Sequence, residues 1–174
     1  QVNVENTNGI NITALTGHFR GTGEVNVWKR KGKIEDAVKS KTGWEKVASS
    51  KISKSGVSAK SISTDSDVLD KNLASTSSFQ ETFKTDFMLG QGVHTLLFSN
   101  KTIGVKYTNA SFGTISAKDE NLSIYVGYGT HRKAPTETGS LYKGRKWNGI
   151  IHYSANGLNK KGILQAGKSI EIKA

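Results

Sequence analysis

The stretch from residue 96 to 112 reads LLFSNKTIGVKYTNASF. Leu96, Leu97 and Phe98 are core-type residues, and they run straight into Ser99. The polar sequence that follows offers few core-type residues before Tyr107 and Phe112. It collects a serine hydroxyl, two lysines (Lys101 and Lys106), a tyrosine and two Asn-x-Ser/Thr acceptor sequences for N-glycosylation, at Asn100 and Asn109. The plain reading is a solvated surface loop. The functional reading is a loop that touches a ligand or a membrane.

No residue set points to catalysis. His18, His94, His131 and His152 are scattered, and none sits four residues from another ligand as a helical zinc motif requires. There is no G-x-S-x-G elbow, phosphate-binding glycine loop or dinucleotide fingerprint. The expectation is a protein that is not an enzyme and carries no cofactor or metal. His94 and His152 lie in alternating apolar runs, where they face outward or bond a neighbour. His18 and His131 stand in turn-like contexts. Trp28 and Trp44 open or close strands and read as core. Trp147, in YKGRKWNG, reads equally well as core or as an exposed platform.

The chain has 174 residues, one proline and no cysteine. That length suits one domain with its own core, and a disulfide scaffold is excluded. It begins with Gln rather than Met, the expected state of a secreted chain after removal of its signal peptide. Four acceptor sequences for N-glycosylation, at Asn11, Asn100, Asn109 and Asn121, fit the same localisation. Net charge is +11 and is unevenly spread. Residues 28–60 hold ten Lys/Arg against three acids, and residues 101–174 hold twelve against four. Residues 61–100 run the other way, two against five. Such a surface favours anionic partners: acidic glycans, anionic headgroups or nucleic acid. No recognised nucleic-acid motif accompanies the charge, so no specific nucleic-acid partner is expected. No apolar run is long enough to span a bilayer as a helix, so any membrane role starts from a soluble state.

The elements that must position these residues repeat with period two. VNVEN, INITAL, GEVNVWK, VHTLLFS, NLSIYVGY, NGIIHYS and KSIEIKA are short alternating or apolar runs. Glycines punctuate them. The pattern predicts an all-β, single-domain compact β-sandwich. One or two short helices are expected, over 33–41 and from 64 to 75. No internal boundary divides residues 1–174, and 1–16 is a candidate mobile or exchanged N-terminal strand.

With the strands placed, the chain resembles the actinoporin-like proteins, small basic cysteine-free cytolysins and their relatives. The resemblance rests on segments in order over about 26–174: NVWKRKGKIEDAVKSKTGW, the Ser-Gly turn in SKSG at 53–56, LLFSNKTIGVKYTN, NLSIYVG and the closing GLNKKGILQAGKSIEIKA. It implies a β-sandwich flanked by short helices that binds phosphocholine headgroups, chiefly of sphingomyelin, and oligomerises on membranes. The positions it implicates are Ser55, Ser99 and Tyr107, with Tyr142 matched more loosely. Tyrosine faces attract a quaternary ammonium, about 0.5–2 kcal/mol each. Serine hydroxyls and basic groups bond the phosphate. The chain also departs from the pattern. The loop after Ser99 has no aromatic before Tyr107, the family's proline after the serine is missing, and KGRK at 143–146 is at most a basic relative of its Arg-Gly-Asp turn. The family lines its pore with an N-terminal amphipathic helix, whereas QVNVENTNGINITALTGHF reads as strand and turn. Headgroup or glycan binding is therefore the leading expectation, ahead of a pore.

Surface contacts to a membrane or glycan are expected from Trp147, Tyr128, Lys101, Lys106 and Arg145. Two rival classes stay open. In one, the N-terminal strand leaves its domain to complete a neighbour's sheet and builds a fibre or pilus-like polymer; the commoner alternative keeps residues 2–15 in their own sheet. In the other, a lectin or viral surface protein stacks sugars on Tyr125, Tyr128, Tyr142 or Trp147.

Overall fold

A computed structural model describes residues 1–53, 79–100, 103–155 and 161–166. The second expected helix, over 64–75, and the candidate residues Ser55 and Lys101 lie outside the described residues.

Alternation of buried and exposed side chains builds the chain as strands. β1 (Val2–Val4), β3 (Gly23–Lys31), β4 (Glu45–Ile52), β6 (Gly92–Asn100), β9 (Ile115–Lys118) and β10 (Leu122–Tyr125) form a six-stranded antiparallel sheet, ordered β4-β3-β6-β1-β10-β9. A second sheet is ordered β14-β13-β2-β5, from β2 (Ile10–Arg20), β5 (Phe79–Leu89), β13 (Gly149–Ala155) and β14 (Lys161–Ala166), with β7 (Gly104–Val105) paired to the end of β2. A third, three-stranded sheet is ordered β11-β12-β8, from β8 (Tyr107–Asn109), β11 (Gly127–Thr130) and β12 (Leu141–Trp147).

The core lies between the two large sheets. Val2, Val4, Val25, Val27, Leu122 and Ile124 from one meet Ile10, Ile12, Leu15, Phe19, Phe83, Phe87, Ile151 and Tyr153 from the other. Burying such side chains stabilises the fold by about 1.5–3 kcal/mol each. The all-β sandwich expected from the sequence is the observed fold.

Helix is reduced to a single described turn, α1 (Ile34–Ala37), which buries Ile34 and Ala37. It belongs to the excursion between β3 and β4. There Gly32 N–H donates to the Val93 carbonyl at 2.8 Å, and its own carbonyl accepts from the Thr95 hydroxyl at 3.0 Å. Among the described residues no helix is long and apolar enough to cross a membrane.

The N-terminal segment occupies two strands, not one. β1 lies inside the six-stranded sheet between β6 and β10, and β2 lies inside the other sheet between β5 and β13. Residues 2–15 therefore complete their own domain's sheets in this structure. A bulge near Thr13 lets β2 follow both neighbours.

Candidate functional site

The small sheet β8-β12-β11 carries the two tyrosines that are exposed among the described residues, with Arg145 beside them. Tyr107 and Tyr142 are 45% and 43% exposed. The Arg145 guanidinium lies 4.7 Å from the Tyr107 ring centre and 6.0 Å from that of Tyr142. One of its N–H groups donates to Asn109 Oδ1. His131 closes the row, its ring 5.5 Å edge-on to Tyr142.

Strand register explains this convergence. Arg145 pairs with Asn109 and Trp147 pairs with Tyr107. Side chains alternate along a strand, so Tyr107, Asn109, Arg145 and Trp147 share one face. Tyr142 stands three residues before Arg145 and ordinary alternation would turn it away. Between them β12 carries a bulge at Gly144, where the register to β11 shifts. Gly144 has φ +75°, and a Cβ built there would meet the Ala110 carbonyl oxygen at 2.5 Å. Only glycine fits, and its extra residue returns Tyr142 to the Arg145 face. Opposite Tyr142, Gly129 leaves room for the Arg145 stem, since a Cβ there would lie 3.0 Å from Arg145 Cγ.

Tyr128 and Lys143 point to the other side of the small sheet. Tyr128 packs on Phe112 at 4.7 Å, and Lys143 Nζ lies 5.4 Å over the same Phe112 ring. Tyr125 is half-buried in the six-stranded sheet, beside β9.

Several expected site residues are placed elsewhere. Ser99 is 1% exposed, and its hydroxyl accepts from the Trp28 indole N–H at 2.9 Å. Phe98 points inward, so alternation turns Ser99 to the outer face of the six-stranded sheet, where Trp28 covers it. It is a buried partner for an indole and presents nothing to a ligand. Trp147 corrects to the core-flanking reading: it stacks on Phe98 at 4.9 Å and packs against the main core. Its indole N–H is buried without a hydrogen-bond partner among the described residues. Trp44 is half-buried and donates to the Ser40 carbonyl at 3.1 Å.

The acceptor asparagines separate in the same way. Asn121 is 7% exposed and bonds Asn6 and Tyr153, so folded chain at that position has no room for a glycan. Asn11 is half-buried and donates to Asp86 at 2.8 Å. Asn100 is half-buried at the end of β6, and Asn109 alone of the four is exposed.

The histidines also resolve. His94 is 7% exposed and bonds the Gly90 carbonyl at 2.8 Å, and burial lowers its pKa. His152 bonds the Thr16 hydroxyl at 2.9 Å, and burial lowers its pKa too. His18 sits inside β2 rather than in a turn. His131 follows β11 directly, as its turn-like context implied.

The arrangement is a surface, not a cleft. A guanidinium stacked on aromatic rings keeps its in-plane N–H groups free at the edge. Here one is held by Asn109, and no carboxylate pairs with Arg145 among the described residues. Such a group is prepared for an anion or for the acceptors of a sugar. Matching of the chain against family models, curated proteins and solved structures returned no significant match.

Proposed function

We propose that this is a non-enzymatic, secreted binding protein that docks on the phosphate headgroups of membrane lipids through the Tyr107–Arg145–Tyr142 face. The observation that carries the reading is the guanidinium that lies over the Tyr107 ring and beside Tyr142, with no carboxylate partner among the described residues. Arg145 supplies directional donors to phosphate oxygens. The tyrosines supply amphipathic rings of the kind that settle at a membrane–water interface. Lys143 and Lys146, on the same strand but facing the other side of the small sheet, add only longer-range positive potential.

Recognition on this face rests on phosphate more than on choline. The guanidinium already lies over the Tyr107 ring, so that face is not open to a quaternary ammonium. Ser99 contributes no hydroxyl. What remains for recognition is the phosphate together with the outward faces and edges of the rings. The two exposed tyrosines favour one second reading, a sugar stacked on the same face.

Competition separates the two. Protein bound to phosphatidylcholine–sphingomyelin vesicles at physiological salt is challenged with phosphorylcholine, choline chloride and a panel of neutral and acidic oligosaccharides. Headgroup docking predicts release by phosphorylcholine and little release by choline chloride. Release by an oligosaccharide alone moves the assignment to a glycan, and absence of vesicle binding rejects the headgroup reading.

A further inference from the structure

Two cations, Arg20 and Lys106, meet the His18 ring on the outer face of the second sheet, away from the tyrosine cluster. The register sets Phe19 opposite Val105 and Arg20 opposite Gly104, and the Lys106 amide donates to the His18 carbonyl at 2.8 Å. Phe19 is buried and Val105 packs on the core. Alternation then sends His18, Arg20 and Lys106 together to the outer face. Gly104, directly opposite Arg20, adds no side chain there; the position of its absent Cβ is 3.7 Å from Arg20 Cβ. The strand β5 contributes Gln80 opposite His18 and Thr82 opposite Thr16, both uncharged. None of the ion pairs among the described residues includes His18, Arg20 or Lys106.

Holding these groups together is unfavourable for the empty protein. Burial lowers the Lys106 ammonium below the usual lysine range, and the neighbouring Arg20 charge adds to it. Burial also lowers His18, with Lys106 as the second cause. Partial desolvation and like charge act in the same direction, and neither is offset by a carboxylate among the described residues. An anion seated among the three would reverse both.

We propose that His18, Arg20 and Lys106 form a second binding site, one that takes a tetrahedral oxyanion of the phosphate or sulfate class. Arg20 offers a planar fork of donors, Lys106 a compact charge, and the His18 ring an N–H that strengthens as it protonates. The ligand here is not the one at Arg145. Lys106 immediately precedes Tyr107, the first residue of β8, and alternation turns the two side chains to opposite sides of the chain. The same chemistry is presented by free phosphate, by a lipid phosphomonoester and by a sulfate ester on a glycan.

The test is a titration of the His18 ring by NMR in inorganic phosphate, in inorganic sulfate and in chloride at equal ionic strength. The site predicts that the His18 midpoint rises in phosphate or sulfate and stays in place in chloride. Arg20→Gln and Lys106→Gln should each weaken phosphate binding about tenfold, the loss of one charge-assisted contact. Lys106→Gln should also melt higher than the parent in anion-free buffer, because it removes a repelling charge. A purely structural lysine would give the opposite result. An equal shift in chloride, retained phosphate affinity in both variants, or a lower melting temperature for Lys106→Gln overturns the proposal. Where phosphate binds, displacement by phosphatidic-acid vesicles assigns a lipid source and displacement by a sulfated polysaccharide a glycan source. Displacement by neither leaves free phosphate as the ligand.

Discussion

At the scale of single residues, Arg145 and Ser99 have exchanged the importance their sequence contexts suggest. Ser99 follows an apolar run and looks presented, yet Trp28 lies over it. Ser99→Ala leaves the indole N–H without its acceptor, a loss of about 1–3 kcal/mol. We expect a lower melting temperature and unchanged vesicle affinity, checked by thermal denaturation beside co-sedimentation. Arg145 sits in a basic run that reads as one surface contact among several. Arg145→Lys keeps the charge but loses the planar fork and the stacking. It should weaken vesicle binding about tenfold, equivalent to roughly 1.4 kcal/mol, with the melting temperature nearly unchanged. If Arg145→Lys binds as well as the parent, the site is electrostatic only and the stack is incidental.

At the scale of elements, the site depends on how β12 threads between β8 and β11. Period-two alternation made the strands legible, and glycine punctuation made their turns legible. Neither shows which strands become neighbours. Tyr107 meets Arg145 only through antiparallel pairing across nearly forty residues, and Tyr142 joins them only because Gly144 inserts a bulge. The glycine in KGRK was visible, but its left-handed backbone was not. The Trp147 ambiguity was real for the same reason: Phe98, which decides it, lies on a distant strand. Gly144→Ala combines an unfavourable φ with a collision on the Ala110 carbonyl. We expect a destabilisation of about 1–3 kcal/mol and loss of vesicle binding together, measured by chemical denaturation and co-sedimentation. Preserved binding in this variant would show that the bulge does not set the geometry of the face.

At the scale of the whole molecule, two sheets enclose one core, and the N-terminal strands are built into both. Deleting residues 1–16 removes β1 from the interior of one sheet and much of β2 from the other. The truncated chain should fail to fold, as judged by circular dichroism; a folded, soluble truncated monomer would revive the exchanged-strand reading. The histidines set a second global property. Burial lowers His18, His94 and His152 in the folded chain. As pH falls below about 6.5, the unfolded chain takes up these protons first. Their contribution to stability is present above that pH and is lost as pH falls through the lower folded values. Glu81, raised by burial, opposes this trend only in the carboxylate range. The melting temperature should therefore drop between pH of about 7.5 and 5. A flat profile across that window would mean that the three rings titrate alike in the folded and unfolded chain.

The central claim is that an exposed tyrosine–arginine face binds lipid headgroups. Its most direct test is co-sedimentation of the parent and a Tyr107→Ala/Tyr142→Ala variant with phosphatidylcholine–sphingomyelin vesicles at physiological salt. The account predicts that the parent pellets with the vesicles, and that the variant, equally folded by thermal denaturation, stays in the supernatant. Equal pelleting of the two, or no pelleting of the parent, would contradict it.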